Sequence, residues 1–318
     1  MPKTFLYYGG IKLTSKIPYD KPPCPDTELL QQLRNRGLDI EDETRTIRYL
    51  NFIGYYRLSA YFLPYQSEKD KFRDGVEFDR ILSLYIFDRK LKLTLMEAIE
   101  RIEVAVRAAT TNYMSLRTGD AHWFLNENHF DNYSPDKGKS FQSFDGYLQS
   151  ICSSIDRQID ATPIVHYYSK YSFPDYPPGW VVMEVLTLGQ VSKIYSILRT
   201  KYKRKIAKKF KTSWQVLEAI LLSLTVIRNK CAHHQRVWNV KISYPPARTV
   251  LKNIAPQYSG SPNSPCVIYF MIWFILTRIN NDSNWGARLC EQLLELDESL
   301  LHKIGLDLNE IYTYLIEE

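Results

Sequence analysis

The chain has 318 residues, of which 24% are charged and 14% aromatic, and it carries a formal net charge of +6. This length allows one large domain or two modest ones with a well-buried core. The small positive charge suits an anionic partner without requiring one. Five scattered cysteines without C-x-x-C spacing argue against a structural zinc site and favour reduced thiols in a cytoplasmic protein.

Neither export nor membrane insertion is indicated by the apolar stretches of the sequence. The N-terminal stretch MPKTFLYYGGIKLT contains no apolar segment of signal-peptide length. The strongest apolar run, CVIYFMIWFIL at 266–276, is about half as long as a membrane-spanning helix. We therefore expect this run to form a core helix, and we expect no membrane partner.

The first part of the chain predicts a small helical lobe. Residues 1–24 look irregular because glycines and prolines interrupt them. Helical patterns follow over 27–36, 41–52 and 55–61, and a charged loop occupies 66–76. We predict a boundary between residues 76 and 77.

A long helix over 78–117 is the most strongly predicted element, because this stretch contains neither Gly nor Pro. Apolar residues recur in it at steps of three and four, as they do on the buried face of a helix. These residues are Leu82, Tyr85, Ile86, Leu93, Met96, Ile99, Ile102, Val106 and Ala109. At roughly 60 Å such a helix would form the spine of a bundle.

The remainder predicts an all-α domain over 77–318 with an insertion at about 119–178. Helical patterns cover 141–159, 180–198 and 214–235, followed by 266–280, 286–303 and 308–316. Gly189 lies inside one of these patterns. An interior glycine costs about 1 kcal/mol relative to alanine, so we expect another backbone to pack closely there.

The stretch LLSLTVIRNKCAHHQRVWN, residues 221–239, concentrates the candidate functional side chains. It begins as an apolar helix and ends in donors and titratable groups, which must then face a cleft, a partner or a second subunit. Arg228 and His233 are five residues apart, and about 140° around a helix axis. Either Arg228 reaches around the helix, or the helix loosens near His233, or two copies of the segment meet across a two-fold axis.

These residue types suit metal-free cleavage of RNA. The imidazole of His233 can accept and return a proton near neutral pH. The guanidinium of Arg228 can hold a phosphate and stabilise added charge on it, and Asn229 can orient the imidazole or donate to an oxygen. The 2′-hydroxyl would attack the adjacent phosphorus, leaving a 2′,3′-cyclic phosphate and a 5′-hydroxyl.

Two other interpretations compete with catalysis. Basic side chains near a helix C-terminus often cap its carbonyls and interact with the helix dipole. The adjacent His233 and His234 also invite a metal ion. However, successive helical residues point about 100° apart, and no nearby carboxylate pair completes a metal site, so we predict neither a metal nor a cofactor.

The segment RNKCAH, residues 228–233, resembles the R-x4-H motif of HEPN ribonucleases, and RNKCAHHQRVWN resembles the Abi-like family of bacterial abortive-infection proteins more closely. R-x4-H by itself is a weak motif, but further stretches resemble the same family in order. These are RGL at 36–38, IGYYRLSAY at 53–61, LYIFDRKL at 84–91, AIERIEVAVR at 98–107 and PPGWVVMEVLTLGQVS at 177–192.

The resemblance implies a HEPN-type helical bundle that cleaves RNA, commonly as a homodimer with its motifs facing each other. It also implies a role in phage defence or as a toxin, in some relatives restrained by a structured small RNA. On this chain it assigns catalysis to Arg228, Asn229 and His233. His234 and Arg236 are supporting candidates.

A basic stretch over 199–211 carries eight Lys and Arg residues and no acid. It directly precedes the central helix and could guide an RNA backbone toward Arg228, with Tyr202 and Phe210 stacking on bases. The alternative is a solvated basic helix face. The candidate RNA contacts are Arg199, Lys201, Lys203, Arg204, Lys205, Lys208, Lys209 and Lys211.

Carboxylates elsewhere could orient Arg228. Glu184 is the strongest candidate because it lies among Val, Met and Leu, where a carboxylate needs a partner such as a core arginine. Glu100 and Glu103 are further possibilities. The tyrosine-rich stretch 53–61 could bind RNA, although core packing explains it equally well.

Three functions follow from the sequence. The leading hypothesis is a HEPN-type endoribonuclease with RNA as substrate and as a possible inhibitor. The second is a HEPN-fold module that holds RNA or a protein without cleaving, and the third is an interaction protein that dimerises through the central helix.

Overall fold

The computed structural model describes residues 22–136 and 138–315, so the predicted irregular segment lies mostly outside the described residues. The chain divides into two compact units, with the boundary between Leu82 and Ser83. In the described residues the regular structure is almost entirely helical, with a single two-stranded hairpin. The predicted all-α class is therefore confirmed.

The described residues of unit 1, before the long helix begins, contain three short α-helices and the hairpin. The helices are α1 (Asp26–Asn35), α2 (Glu43–Ile53) and α3 (Tyr55–Ser59), and the strands are β1 (Gln66–Glu68) and β2 (Lys71–Phe72). Gly54 separates α2 from α3 with φ of 88°, a value that side chains with a Cβ rarely adopt. The hairpin replaces the predicted loop, because Asp70 takes a left-handed conformation that reverses the chain.

The long helix α4 (Phe78–Thr118) confirms the predicted helix over 78–117 and ends one residue later than predicted. One face is closely packed, and Leu91, Ala98, Ile102 and Val106 along it have no exposed surface. Gly119 ends the helix with a positive φ of 69°.

Five helices follow before the central one: α5 (Phe144–Arg157), α6 (Thr162–Lys170), α7 (Gly179–Val185), α8 (Leu188–Ile197) and α9 (Thr200–Lys209). The prediction of one helix over 180–198 is wrong, because the chain becomes extended at Leu186. Thr187 then caps α8 and exchanges hydrogen bonds with Gln190 in a capping box. This T-x-x-Q spacing is readable in the sequence and marks a helix start.

The central helix α10 (Trp214–Ala232) begins where Ser213 accepts a hydrogen bond from the Val216 backbone N–H. Its residues Leu217, Ile220, Leu221 and Leu224 are fully buried, and α8 packs closely against it. A Cβ on Gly189 would lie 3.2 Å from the Thr225 methyl group. Packing at Gly189 is therefore close, but against a side chain of α10 and not against the predicted backbone, and Gly189 lies in the first turn of α8 and not in a helix interior.

The chain ends with α11 (Arg248–Ile254), α12 (Cys266–Ile279), α13 (Trp285–Leu293), α14 (Glu298–Ile304) and α15 (Leu308–Leu315). Helix α12 is a buried core helix, as predicted. Asp297 caps α14 and so divides the predicted helix 286–303 in two. Within the described ranges no single helix has the length and apolar character needed to cross a membrane. Helices α9 and α10 have that length and apolar character only when taken together, and a bend of 79° lies between them.

Candidate active site

The C-terminal end of α10 is closed by backbone hydrogen bonds. His233 is the C-cap, and His234 follows in the left-handed conformation with φ of 53°. The His234 and Gln235 amides donate to the carbonyls of Cys231 and Lys230 at 3.0 and 2.9 Å, the two bonds of a Schellman motif. Because the backbone satisfies these carbonyls, the imidazole of His233 is not needed as a cap.

The candidate catalytic side chains reach the surface at this helix end. Asn229 and His233 are exposed and Arg228 is half-buried. Among the residues that the structure describes, the His233 imidazole has no hydrogen-bond or ion-pair partner. Helix α10 ends just before His233, as in one of the three arrangements considered, and the meeting of two copies across a two-fold axis stays a prediction.

A buried ion pair on α4 fixes the segment that follows the motif. Asp88 is 0% exposed, and its Oδ1 accepts the backbone N–H groups of Val237 and Trp238 at 2.9 and 2.7 Å. Its Oδ2 lies 2.7 Å from the Lys92 ammonium, which also donates to the Gln235 carbonyl at 3.3 Å. This pair therefore positions the chain immediately after the two histidines.

Sequence reasoning missed this anchor, although a signal was present. Asp88 stands in the apolar series Leu84, Leu91 and Leu95, all of which are buried on one face of α4. An aspartate in such a series must be paired, and Lys92 is four residues away. Burial and the nearby Asp88 charge raise the pKa of Cys231 to about 12, so this thiol inside the motif stays protonated.

A second charged cluster joins α4 to the candidate site. Arg107 is paired with Glu103, lies 3.8 Å from the Glu184 carboxylate, and donates to the Leu186 carbonyl where α7 has ended. Burial raises the pKa of Glu103, while the positive charges of Arg107 and Arg228 oppose that rise. Glu103 therefore lies within electrostatic range of the candidate catalytic arginine.

The expected role of Glu184 requires correction. Its side chain is 62% exposed, and the basic partner it approaches is Arg107. The premise of a carboxylate in an apolar helix fails because α7 ends one residue later, at Val185. Among the carboxylates considered, Glu103 is influenced by the charge of Arg228. The other supporting candidates, His234 and Arg236, are exposed and half-buried respectively.

Helix α9 presents only part of its positive charge. Lys203 is 2% exposed, and its ammonium lies 2.9 Å from Glu218 and 3.0 Å from the Ser196 carbonyl. Tyr202 and Phe210 are also buried, so the prediction that Lys203 contacts RNA and that these rings stack on bases is wrong. The exposed cations are Lys201, Arg204, Lys205, Lys208, Lys209 and Lys211, and Arg199 is half-buried beside Asp131.

No group of three or more His, Cys, Asp or Glu side chains in the described part of the chain is arranged to hold a metal ion. The titratable groups around the motif are instead distributed between the Asp88–Lys92 pair and the cluster of Glu103, Arg107 and Arg228.

The family model described as Abi-like protein matches residues 48–239. No curated protein and no solved structure shows significant similarity to the chain. The matched range contains the buried anchor Asp88, the Glu103–Arg107 pair and the whole of α10 with its terminal motif. Since this match spans more than half of the 318 residues, the chain belongs to the Abi-like family, whose name stands for abortive infection.

Proposed function

We propose that the chain is a metal-independent endoribonuclease of the HEPN type that acts in phage defence, with Arg228 and His233 as its catalytic pair. The observation that carries the proposal is the end of α10. There the backbone makes the helix cap by itself, and an exposed imidazole follows a half-buried guanidinium on a rigidly anchored segment. An exposed imidazole and a half-buried guanidinium five residues apart supply the two types of group that acid–base chemistry on a phosphodiester needs.

In this reaction His233 accepts the proton of a 2′-hydroxyl, whose oxygen attacks the adjacent phosphorus. Arg228 stabilises the added negative charge on the non-bridging oxygens. The bond to the 5′-oxygen then breaks and that oxygen takes up a proton, which gives a 2′,3′-cyclic phosphate and a 5′-hydroxyl. Asn229, exposed one turn before His233, can orient the imidazole or donate to a phosphate oxygen. Glu103 interacts with Arg228 from α4 and acts as a positioning residue.

RNA would approach over the exposed cations of α9. Helix α9 lies directly before α10 in the chain and packs against it. Its six exposed Lys and Arg side chains, counted through Lys211, face solvent without a described salt-bridge partner. Such a surface binds polyanions by releasing their counterions. A structured small RNA that restrains the enzyme would use the same surface.

A homodimer is part of this proposal. On α4 the exposed positions Leu93, Glu100, Val104 and Ala108 share one face, and Leu93 and Val104 are 67% and 55% exposed. Exposed apolar side chains in such a row favour contact with a second helix. Val104 neighbours Glu103 in sequence, so a second copy that packed here would bring its own motif near the first.

The decisive experiment compares His233→Ala with His234→Asn. We expect His233→Ala to lower the rate of RNA cleavage by at least about a hundredfold, as loss of a general base does, while RNA binding persists. We expect His234→Asn to keep most of the activity, because asparagine tolerates the left-handed backbone of that position. Cleavage should continue in excess EDTA and produce cyclic phosphate ends.

Equal cleavage and equal toxicity of the wild type and His233→Ala would refute the enzymatic role. If RNA still bound in that case, the protein would be a non-catalytic RNA-binding module, the function that the exposed cations of α9 support on their own. If neither RNA binding nor cleavage were detected, the remaining hypothesis would be a protein-interaction role that uses the exposed face of α4.

A further inference from the structure

Two adjoining cavities in unit 2 take no part in the candidate active site. The first, of about 390 Å³, is lined by Lys208, Lys211 and Ser213 at the junction of α9 and α10, and by Arg278 of α12. It also includes Asn253 and Phe274, which line the second cavity as well. These shared residues make the two cavities one continuous groove.

The second cavity, of about 310 Å³, has aromatic walls. Phe270, Trp273 and Phe274 of α12 and Tyr314 of α15 line it. The indole N–H of Trp273 is buried, and among the described residues it has no hydrogen-bond partner. A buried donor of this kind is costly unless a ligand or a water accepts from it.

Among the described residues that line the two cavities, every charged side chain is positive. Lys208, Lys211 and Arg278 line the first cavity, and none of these described lining residues is a carboxylate. The Arg278 guanidinium lies 3.5 Å from the centre of the Phe274 ring and donates to the Phe274 carbonyl at 2.5 Å. Arg278 is therefore held in place between the cationic and the aromatic parts of the groove.

The groove is remote from the proposed catalytic pair. Ser213 precedes α10 and His233 follows it. At 1.5 Å per residue these positions are about 30 Å apart along the helix axis. A ligand in the groove would therefore occupy a site separate from the one that cleaves RNA.

The geometry points to a binding site for a nucleoside phosphate. The phosphate would lie among Lys208, Lys211 and Arg278, and the base would pack against Trp273 and Tyr314. Lysines act as point charges toward phosphate, arginine adds a planar fork, and aromatic rings stack on any base. The cavity volumes are those of small-molecule sites. This chemistry has two possible sources, a free nucleotide or the phosphorylated terminal nucleotide of an RNA.

The test uses the full chain with His233→Ala, so that RNA stays intact whether or not the wild type cleaves it. Binding of AMP, GMP, CMP and UMP is measured by calorimetry, with adenosine and inorganic phosphate as partial ligands. Short RNAs that carry a 5′-phosphate, a 3′-phosphate or neither are compared by fluorescence anisotropy. We expect a phosphorylated ligand to bind at least tenfold more tightly than adenosine, inorganic phosphate or the unphosphorylated RNA.

Matched charge variants identify the groove. Lys208→Gln with Lys211→Gln should weaken binding of the phosphorylated ligand about tenfold or more. Lys205→Gln with Lys209→Gln removes the same charge from exposed positions of α9 that do not line the groove. It should leave unchanged both the affinity for mononucleotides and the preference for phosphorylated over unphosphorylated RNA. Trp273→Leu should weaken nucleotide binding while it leaves the affinity for inorganic phosphate unchanged.

Tighter binding of mononucleotides than of RNA ends identifies a free nucleotide as the ligand, and the reverse identifies an RNA terminus. Equal losses of ligand affinity in the two lysine-pair variants would mean that the ligand responds only to the overall positive charge, and this would overturn the site. Absence of binding by every phosphorylated ligand would also overturn it. Neither result bears on cleavage by Arg228 and His233, because every measurement uses the His233→Ala chain.

Discussion

Basic side chains lie near both ends of α10, but their surroundings differ. At the C-terminal end, backbone amides cap the helix and a buried carboxylate, Asp88, anchors the following segment, which leaves His233 exposed. At the N-terminal end, Lys203 is buried against Glu218, and its ammonium lies over the Trp214 ring. One end therefore presents its motif residues to solvent, and the other uses part of its positive charge to hold α9 against α10.

The number of basic residues in a stretch of sequence therefore does not show how many positive charges a ligand can reach. The most basic stretch loses Lys203 to the interior, whereas the apolar helix ends in the accessible imidazole. In both cases the deciding partner is a carboxylate outside the basic segment: Asp88 is buried, and Glu218 is partly exposed. The predictions below test that distinction at both ends of the helix.

The largest effect is expected from Asp88→Asn, which leaves the Lys92 ammonium buried without its counter-charge. The free energy of unfolding should fall by about 3–5 kcal/mol, as for other broken buried pairs, and RNA cleavage should fall with it. Denaturant titration measures the free energy of unfolding. The matched control is Glu97→Gln, which breaks a half-exposed pair with Arg288 and should cost less than about 1 kcal/mol. Similar losses of unfolding free energy in both variants would show that Asp88 stabilises the fold no more than a half-exposed ion pair does.

A smaller effect is expected from Lys203→Met, because Glu218 is partly exposed and can be solvated when its partner is lost. The free energy of unfolding should fall by about 2 kcal/mol, the range for a hydrogen bond to a charged group, while RNA affinity stays unchanged. Arg204→Met, at the adjacent exposed position, should show the opposite pattern. Weaker RNA binding by Lys203→Met, with unchanged stability, would reverse the assignment of these two side chains.

The salt dependence of RNA binding should follow only the exposed cations. Replacing Lys201, Arg204 and Lys205 by Gln should lower the slope of log affinity against log salt by about 0.7 for each lost contact with single-stranded RNA. Affinity measured between low and moderate salt in the His233→Ala chain gives this slope. An unchanged slope would mean that this face of α9 is only a solvated surface.

The smallest effect concerns the thiol in the motif. With a pKa near 12, Cys231 should resist alkylation at pH 8, whereas the half-buried Cys152 should react. The folded pKa lies above the ordinary value of 9.0. The thiol therefore favours the folded state fully below pH 9, and this contribution is lost as the pH rises toward 12. Mass spectrometry after brief alkylation distinguishes the two thiols, and rapid modification of Cys231 at pH 8 would contradict its burial.

The sequence by itself determined the helical class, the long helix α4 and the position of the motif at the end of α10. Each depends on local information: apolar periodicity, the absence of Gly and Pro, and the capping residue Ser213. The stretches that resemble the Abi-like family in order also indicated which segments belong together, although not how these segments pack against one another. The break between α7 and α8 was readable as well, from the capping residues Thr187 and Gln190.

Only the tertiary structure decided which polar side chains are buried. Lys203 looks like an ordinary surface residue until the packing of α9 removes water from it. The apolar series around Asp88 indicates its burial, but not its partners on the segment after α10. Glu184 approaches Arg107 and Glu103 is influenced by the charge of Arg228, because side chains far apart in the sequence meet only when α4, α7 and α10 are assembled. The same assembly creates the groove between α9, α12 and α15. The energy of a charge depends on its surroundings in space, and these are fixed by contacts that no local pattern encodes.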